Sequence, residues 1–102
     1  MIYDKTVTPE LLKNKLDNNE DLFIVDTRSD TSILKPIANA IIMSSSELID
    51  KQDVLPKDKT IILYCSQGVE SFFLMNILIA DHGFSEVYSL KSGLEGWHKI
   101  SA

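Results

Sequence analysis

The chain has little to hold it together covalently. A single cysteine among 102 residues excludes an intrachain disulfide and a Cys-rich zinc site, and no metal site is expected. Positive charge is also scarce. Lys and Arg number 10 against 15 Asp and Glu, for a net charge of −5 and a pI of about 4.8. Sequence-independent nucleic-acid binding needs a basic face, and so does docking on anionic lipid, so neither partner is expected. The plainest meaning of the mild acidity is solubility. No apolar run approaches the roughly 18 residues that span a bilayer. The opening, "MIYDKTVTPELL", lacks a charged-then-apolar leader, so no signal peptide is expected. A soluble, reducing, cytoplasmic setting fits these absences best.

Apolar residues make up 44% of the chain, enough for a real core. The length suits one domain over residues 1–102. Thr8-Pro9-Glu10 opens a helix: Thr is a good N-cap, Pro is tolerated at the first position, and Glu suits the positive end of the dipole. Leu11, Leu12 and Leu16 supply its apolar side, and Asp17-Asn18-Asn19 ends it. Short apolar runs follow at Leu22–Val25, Ala40–Met43 and Ile61–Tyr64, with a weaker one at Val87–Leu90 interrupted by Ser89. Runs without alternation predict strands buried on both faces. Thr6-Val7 can add an edge strand. Helices are predicted between the runs, over Ser45 to about Lys51, Glu70–His82 and Leu94–Ile100. Gly83 follows His82 where a helix-ending glycine belongs. The residues Phe72–Met75 and Ile77–Ala80 run nearly round their helix, which predicts a core helix. Strand and helix alternate, so the class is α/β with a mostly parallel sheet.

Ligands of such sheets bind beyond the carboxyl ends of the strands. The segments placed there are Asp26-Thr27-Arg28, Ser44-Ser45-Ser46, Cys65 and Lys91-Ser92-Gly93. The lone thiol and the cations Arg28 and Lys91 can therefore share one edge. Cys65 also precedes a helix N-terminus, where unpaired N–H groups and the dipole favour an anion. Gly68 permits a tight loop whose N–H groups turn inward around a sulfur. On this local pattern Cys65 is either a nucleophile or a packed small hydrophobe.

Four segments together carry a resemblance. "CSQGVES" is similar to the active-site loop of rhodanese-like sulfurtransferases, a cysteine and five residues running into a helix. "LFIVDTRSD" resembles the family's strand ending in Asp-x-Arg, and "LKPIANAIIMS" lies where the family has Gly-His-Ile-x-Gly-Ala before its next strand. "VYSLKSGLEGWHKI" resembles the C-terminal strand, glycine turn and Trp. The resemblance spans nearly the whole chain. It implies a five-stranded parallel sheet with helices on both faces. It implies an enzyme resembling thiosulfate sulfurtransferase that works through a persulfide on Cys65 and needs no cofactor. The donor is thiosulfate, a polysulfide or a persulfide; the acceptor is cyanide, a small thiol or a protein. The active-site loop is then Ser66, Gln67, Gly68, Val69 and Glu70, with Arg28 nearby. The alternative is a rhodanese-like binding or sulfur-relay module that acts through protein partners.

The chain departs from the family pattern at a few positions. Glu70 stands where the loop often carries Arg, and no residue from Ser66 to Glu70 is cationic. A carboxylate there repels an anionic donor such as thiosulfate, unless it faces solvent as a helix cap. Lys35-Pro36 replaces the Gly-His pair, Asn39 the later glycine, and Ser92 a second turn glycine. Cysteine phosphatases of related architecture need an Arg at the position held by Ser71, so oxyanion chemistry of that kind is excluded. His82 and His98 follow no predicted strand end, which disfavours a Cys–His hydrolase; His82 is read as a helix-end cation and His98 as a surface residue. Trp97 is read as a core or staple residue. Asp26 and Arg28 are expected to form an ion pair that braces the loop.

Overall fold

A computed structural model describes residues 2–101. The elements in chain order are β1 (Thr6–Val7), α1 (Pro9–Asp17), β2 (Leu22–Asp26), β3 (Ile41–Ile42), α2 (Ser45–Asp50), β4 (Thr60–Tyr64), α3 (Val69–His82), β5 (Val87–Leu90) and α4 (Gly93–Ser101). A short 3-10 turn, Gln52–Val54, follows α2 and was not expected from the sequence. Two helix ends, at Thr8 and Gly83, are those expected from the sequence, and a capping box at Ser44 is added. The Thr8 side chain accepts from the Leu11 N–H, Ser44 and Glu47 form a reciprocal capping box, and Gly83 ends α3 in the left-handed region.

All strands pair in parallel, in the order β1-β5-β4-β2-β3. Successive residues of β4 feed opposite faces. Ile61 and Leu63 meet Leu48 of α2 and Leu74, Met75 and Leu78 of α3. Ile62 and Tyr64 meet Leu12 of α1 and Leu94 of α4. The sheet is thus covered on both sides, and Ile61, Ile62, Leu63 and Tyr64 are all 0% exposed. Burying each such side chain contributes about 1.5–3 kcal/mol. No helix among the described residues is long and apolar enough to cross a membrane.

Some expectations about burial fail, each because an outer layer has an outside. β3 holds only Ile41 and Ile42, both exposed, since it is an edge strand paired with β2 alone. Leu11 is exposed while Leu12 is buried, because only one side of α1 meets the sheet. The helix α3 is not enclosed: Val69 is 63% and Phe73 61% exposed. Its inner face, Ser71, Leu74, Met75 and Leu78, is buried, and Phe72 and Ile79 pack partly against the core.

Connections leave β4 toward β5 and leave β2 toward β3, so chain direction diverges between these neighbours. A crevice opens beyond their carboxyl ends, the usual ligand position in this architecture. Cys65 follows β4 and Arg28 follows β2.

Candidate active site

The thiol sits where β4 turns into α3. Gly68 takes φ of 89° and forms the N-cap of that helix. The turn aims N–H groups back at the sulfur: Gly68 N is 3.2 Å and Ser71 N 3.4 Å from Cys65 Sγ. These are first-turn donors that have no partner within the helix. The Ser71 hydroxyl lies 3.5 Å from the same sulfur and 2.7 Å from the Ser89 hydroxyl. Both serines are 0% exposed. When the sulfur is anionic, Ser71 can donate to it while Ser89 donates to Ser71.

A second turn braces the first. At the start of α4, Leu94 N donates to the Cys65 carbonyl at 2.9 Å and Glu95 N to the Ser66 carbonyl at 3.0 Å. The close approach requires a glycine at position 93. A Cβ on Gly93 would lie 2.5 Å from both carbonyl oxygens, and its φ is +60°. The left-handed conformation is also taken by Ser92, with φ 64°, and by Asn39, with φ 68°.

The floor on the β2 side is an ion pair. Arg28 meets Asp26 through Nη2 at 2.8 Å and Nε at 3.0 Å, and the Arg28 backbone N–H adds a third bond at 3.0 Å. Tyr64 Oη donates to Asp26 at 2.8 Å and accepts from Ile37 N at 3.1 Å. Burial pushes the Asp26 carboxyl upward, but the bonds from Arg28 and Tyr64 outweigh it and hold the group below its ordinary value. Burial and the neighbouring Asp26 carboxylate drive the Tyr64 phenol well upward, so it stays a donor.

Around the thiol lies a pocket of about 320 Å³ lined by Arg28, Ser29, Asp30, Ile33, Cys65, Ser66, Gln67, Val69 and Glu70. The thiol and its expected loop are at this place: Cys65, Ser66, Gln67, Val69, Glu70 and Arg28 line it, and Gly68 donates its N–H to the sulfur. Lys91 does not line it, so only one of the two expected cations is there, and that one is committed to Asp26. Glu70 is exposed in the first turn of α3, as the helix-cap alternative expected, and its Oε1 accepts a hydrogen bond from Ser45 Oγ at the start of α2. Asp30 is held below its ordinary value by bonds from Ser32, on both the hydroxyl and the backbone N–H. The mouth thus carries the carboxylates Asp30 and Glu70 with no unpaired cation among its lining residues. Neither histidine lines the pocket. His98 is partly exposed on α4, its Nε2 2.8 Å from the Lys35 carbonyl.

Sequence reading missed Ser71 as a partner of the thiol and Ser89 as the partner of Ser71. The available signal was Ser89 itself, a polar residue inside a strand otherwise buried among apolar ones.

Comparison with known proteins identifies the family and the fold. The profile of the rhodanese-like domain matches residues 8–100. A thiosulfate sulfurtransferase GlpE of Coxiella burnetii is 35% identical over 89 residues, covering 86% of this chain and 78% of that protein. The putative sulfurtransferase YtwF of Bacillus subtilis is 27% identical over 94 residues, covering 91% and 89%. Among solved structures, a rhodanese-like domain protein from Staphylococcus aureus superposes with a TM-score of 0.81 at 28% identity, covering 91% of this chain and 90% of that one.

Proposed function

This chain belongs to the rhodanese-like domain family and is a sulfurtransferase of the rhodanese type, and from that premise we propose that Cys65 is its nucleophile and carries the transferred sulfur as a persulfide. The observation that supports this most is the position of Sγ, just past the central strand, with N–H groups of Gly68 and Ser71 directed at it. A thiolate there is stabilised by fixed donors that need no reorganisation as the reaction proceeds.

The thiolate attacks the outer sulfur of a donor. With thiosulfate, a Cys65–S bond forms, the donor's S–S bond breaks, and sulfite departs with the bonding pair. An acceptor thiolate or cyanide then attacks the outer sulfur of the Cys65 persulfide and regenerates the thiolate. The loop of Ser66, Gln67, Gly68, Val69 and Glu70 surrounds the travelling sulfur, and Arg28 fixes the floor through Asp26. No electron carrier or cofactor enters, because each step exchanges one sulfur bond for another. The whole chain, 1–102, works as one domain, and a reducing, cytoplasmic setting keeps its thiol available.

Mass spectrometry after incubation with polysulfide tests the assignment. Wild type should gain one sulfur on Cys65 and return it to dithiothreitol. Cys65→Ala should fold, gain none, and transfer none to cyanide. Wild-type transfer by Cys65→Ala overturns the assignment.

A further inference from the structure

The outer face of α3 is apolar, exposed and continuous with the mouth of the site. Val69 opens the stripe and lines the Cys65 pocket. Phe73 lies one turn on, and Ile77 and Ala80 follow at helical spacing. Phe73, Ile77 and Ala80, with Ile2, Phe72, Asn76 and Asp81, line a second, mostly apolar hollow of about 260 Å³. Phe73 is 61% and Ile2 76% exposed. From Val69 to Ala80 the stripe runs about 16 Å at 1.5 Å per residue. Scattered apolar residues on a surface mean little, but a contiguous row that begins at a reactive thiol marks an interaction surface.

Charge says what covers it. Glu70 and Asp30 stand at the mouth end, and Asp81 lines the far hollow. Arg28 is the one cation among the residues lining either hollow, and Asp26 neutralises it. A small anion meets repulsion here, whereas an apolar segment flanked by cations is matched on both counts.

Building on the sulfurtransferase reading above, we infer that the α3 stripe receives a protein partner whose sulfur-bearing cysteine is followed by apolar residues and flanked by Lys or Arg. Val69 lines the Cys65 pocket and Phe73 lies about 6 Å of helical rise beyond it, within the roughly 7 Å that two extended residues reach, so a partner cysteine at Cys65 leads its next apolar side chains onto the start of the stripe. The transfer balances. The Cys65 thiolate attacks the outer sulfur of the partner's persulfide, a Cys65–S bond forms as the partner's S–S bond breaks, and the partner's thiolate leaves with the bonding pair. The proton stays on the transferred sulfur.

Three persulfidated probes separate the elements of the surface: Lys-Cys-Leu-Leu-Lys, Glu-Cys-Leu-Leu-Glu and Lys-Cys-Ser-Ser-Lys, each with blocked ends. The readout is the rate at which Cys65 gains a sulfur at low ionic strength, with polysulfide as a small donor beside them. The cationic apolar peptide should load Cys65 about tenfold faster than either of the others. Phe73→Ser should bring it down to the rate of the Ser-Ser peptide, and Ala80→Lys should slow it further than it slows the anionic peptide. Both variants should load from polysulfide at the wild-type rate. If polysulfide loads Cys65 but the three peptides load alike, the docking surface is refuted while the chemistry stands. If no donor loads Cys65, the sulfurtransferase site itself is refuted. A wild-type dimer in sedimentation that Phe73→Ser dissolves also overturns the proposal, because a second copy then covers the stripe.

Discussion

Substituting Gly93 by Ala should weaken the fold and disable the thiol together, because one turn serves both. An added Cβ would sit 2.5 Å from the Cys65 and Ser66 carbonyl oxygens, inside any tolerable contact, and the obstruction is backbone on both sides. The conformation itself, at φ +60°, costs a non-glycine residue about 1–2 kcal/mol. Relieving the overlap separates α4 from the loop and opens the bonds from Leu94 N and Glu95 N, now 2.9 and 3.0 Å. Each is worth about 1 kcal/mol net. The sum is about 3–4 kcal/mol, against a total stability of about 5–15 kcal/mol for a domain of this kind.

Urea denaturation should show that loss with little change in slope. The loading rate of Cys65 should fall about a hundredfold, since a displacement near 1 Å at a reacting group costs that much. Gly83→Ala is the matched control. It has a similar φ of +75°, but its added Cβ would meet only the Lys57 Nζ at 3.7 Å. It should cost about 1 kcal/mol and leave loading intact. If Gly93→Ala is no less stable than Gly83→Ala and loads at the wild-type rate, the start of α4 does not brace the thiol loop.

Asp26→Asn leaves the Arg28 guanidinium buried without its carboxylate and should cost about 3–5 kcal/mol in urea melts at pH 7. Because the Asp26 carboxyl lies below its ordinary 3.8 in the folded state, its contribution is complete above that pH and is lost as pH falls through the folded value. The gap between wild type and variant should therefore close in acid, and a gap that widens there would contradict the ion-pair account. Ser71→Ala removes a hydroxyl from beside Sγ and strands Ser89; loading should slow about tenfold and stability drop about 1–2 kcal/mol, and unchanged loading would exclude the hydroxyl from the chemistry. Glu70→Arg should speed loading from thiosulfate about five- to tenfold at low salt, with the gain fading as salt screens the new charge. An equal rate at low salt would show that the rim charge does not govern donor choice.

Much of this architecture is legible in the chain because its signals are local. Thr8 and Gly83 each mark a helix end by satisfying backbone groups near at hand. The uninterrupted run Ile61–Tyr64 reads as a doubly covered strand because β4 lies inside the sheet with helices on both faces. What the chain conceals depends on contacts far apart in sequence. The run at Ala40–Met43 looks as buried as the one at Ile61–Tyr64, yet β3 lies at the sheet edge and exposes Ile41 and Ile42. The apolar circumference of α3 looks like core, yet a helix that covers a sheet has only one face against it. The Ser71–Ser89 pair spans 18 positions and becomes visible only when β5 is set beside β4.

The departures from the family pattern divide by what they alter. Asn39 and Ser92 stand where glycines are usual, and both retain the left-handed backbone that a glycine would supply. Asn adopts that conformation more readily than most residues, so position 39 keeps its geometry at small cost. Ser92 bears more strain, yet it sits directly before Gly93, and the pair must turn together to bring α4 against the Cys65 and Ser66 carbonyls. Shape is thus maintained at these positions despite unfavourable side chains. Glu70 is different in kind. It leaves the backbone of the first turn of α3 undisturbed, with Gly68 and Ser71 still donating to the sulfur, and reverses only the charge at the rim. A cradle preserved in form around a thiol whose entrance is acidic is the geometry on which the proposed choice of sulfur carrier rests. On the docking surface proposed above, exposed Val69 at that entrance and Phe73 one turn on offer an apolar partner segment the contact that an arginine would offer a small anion.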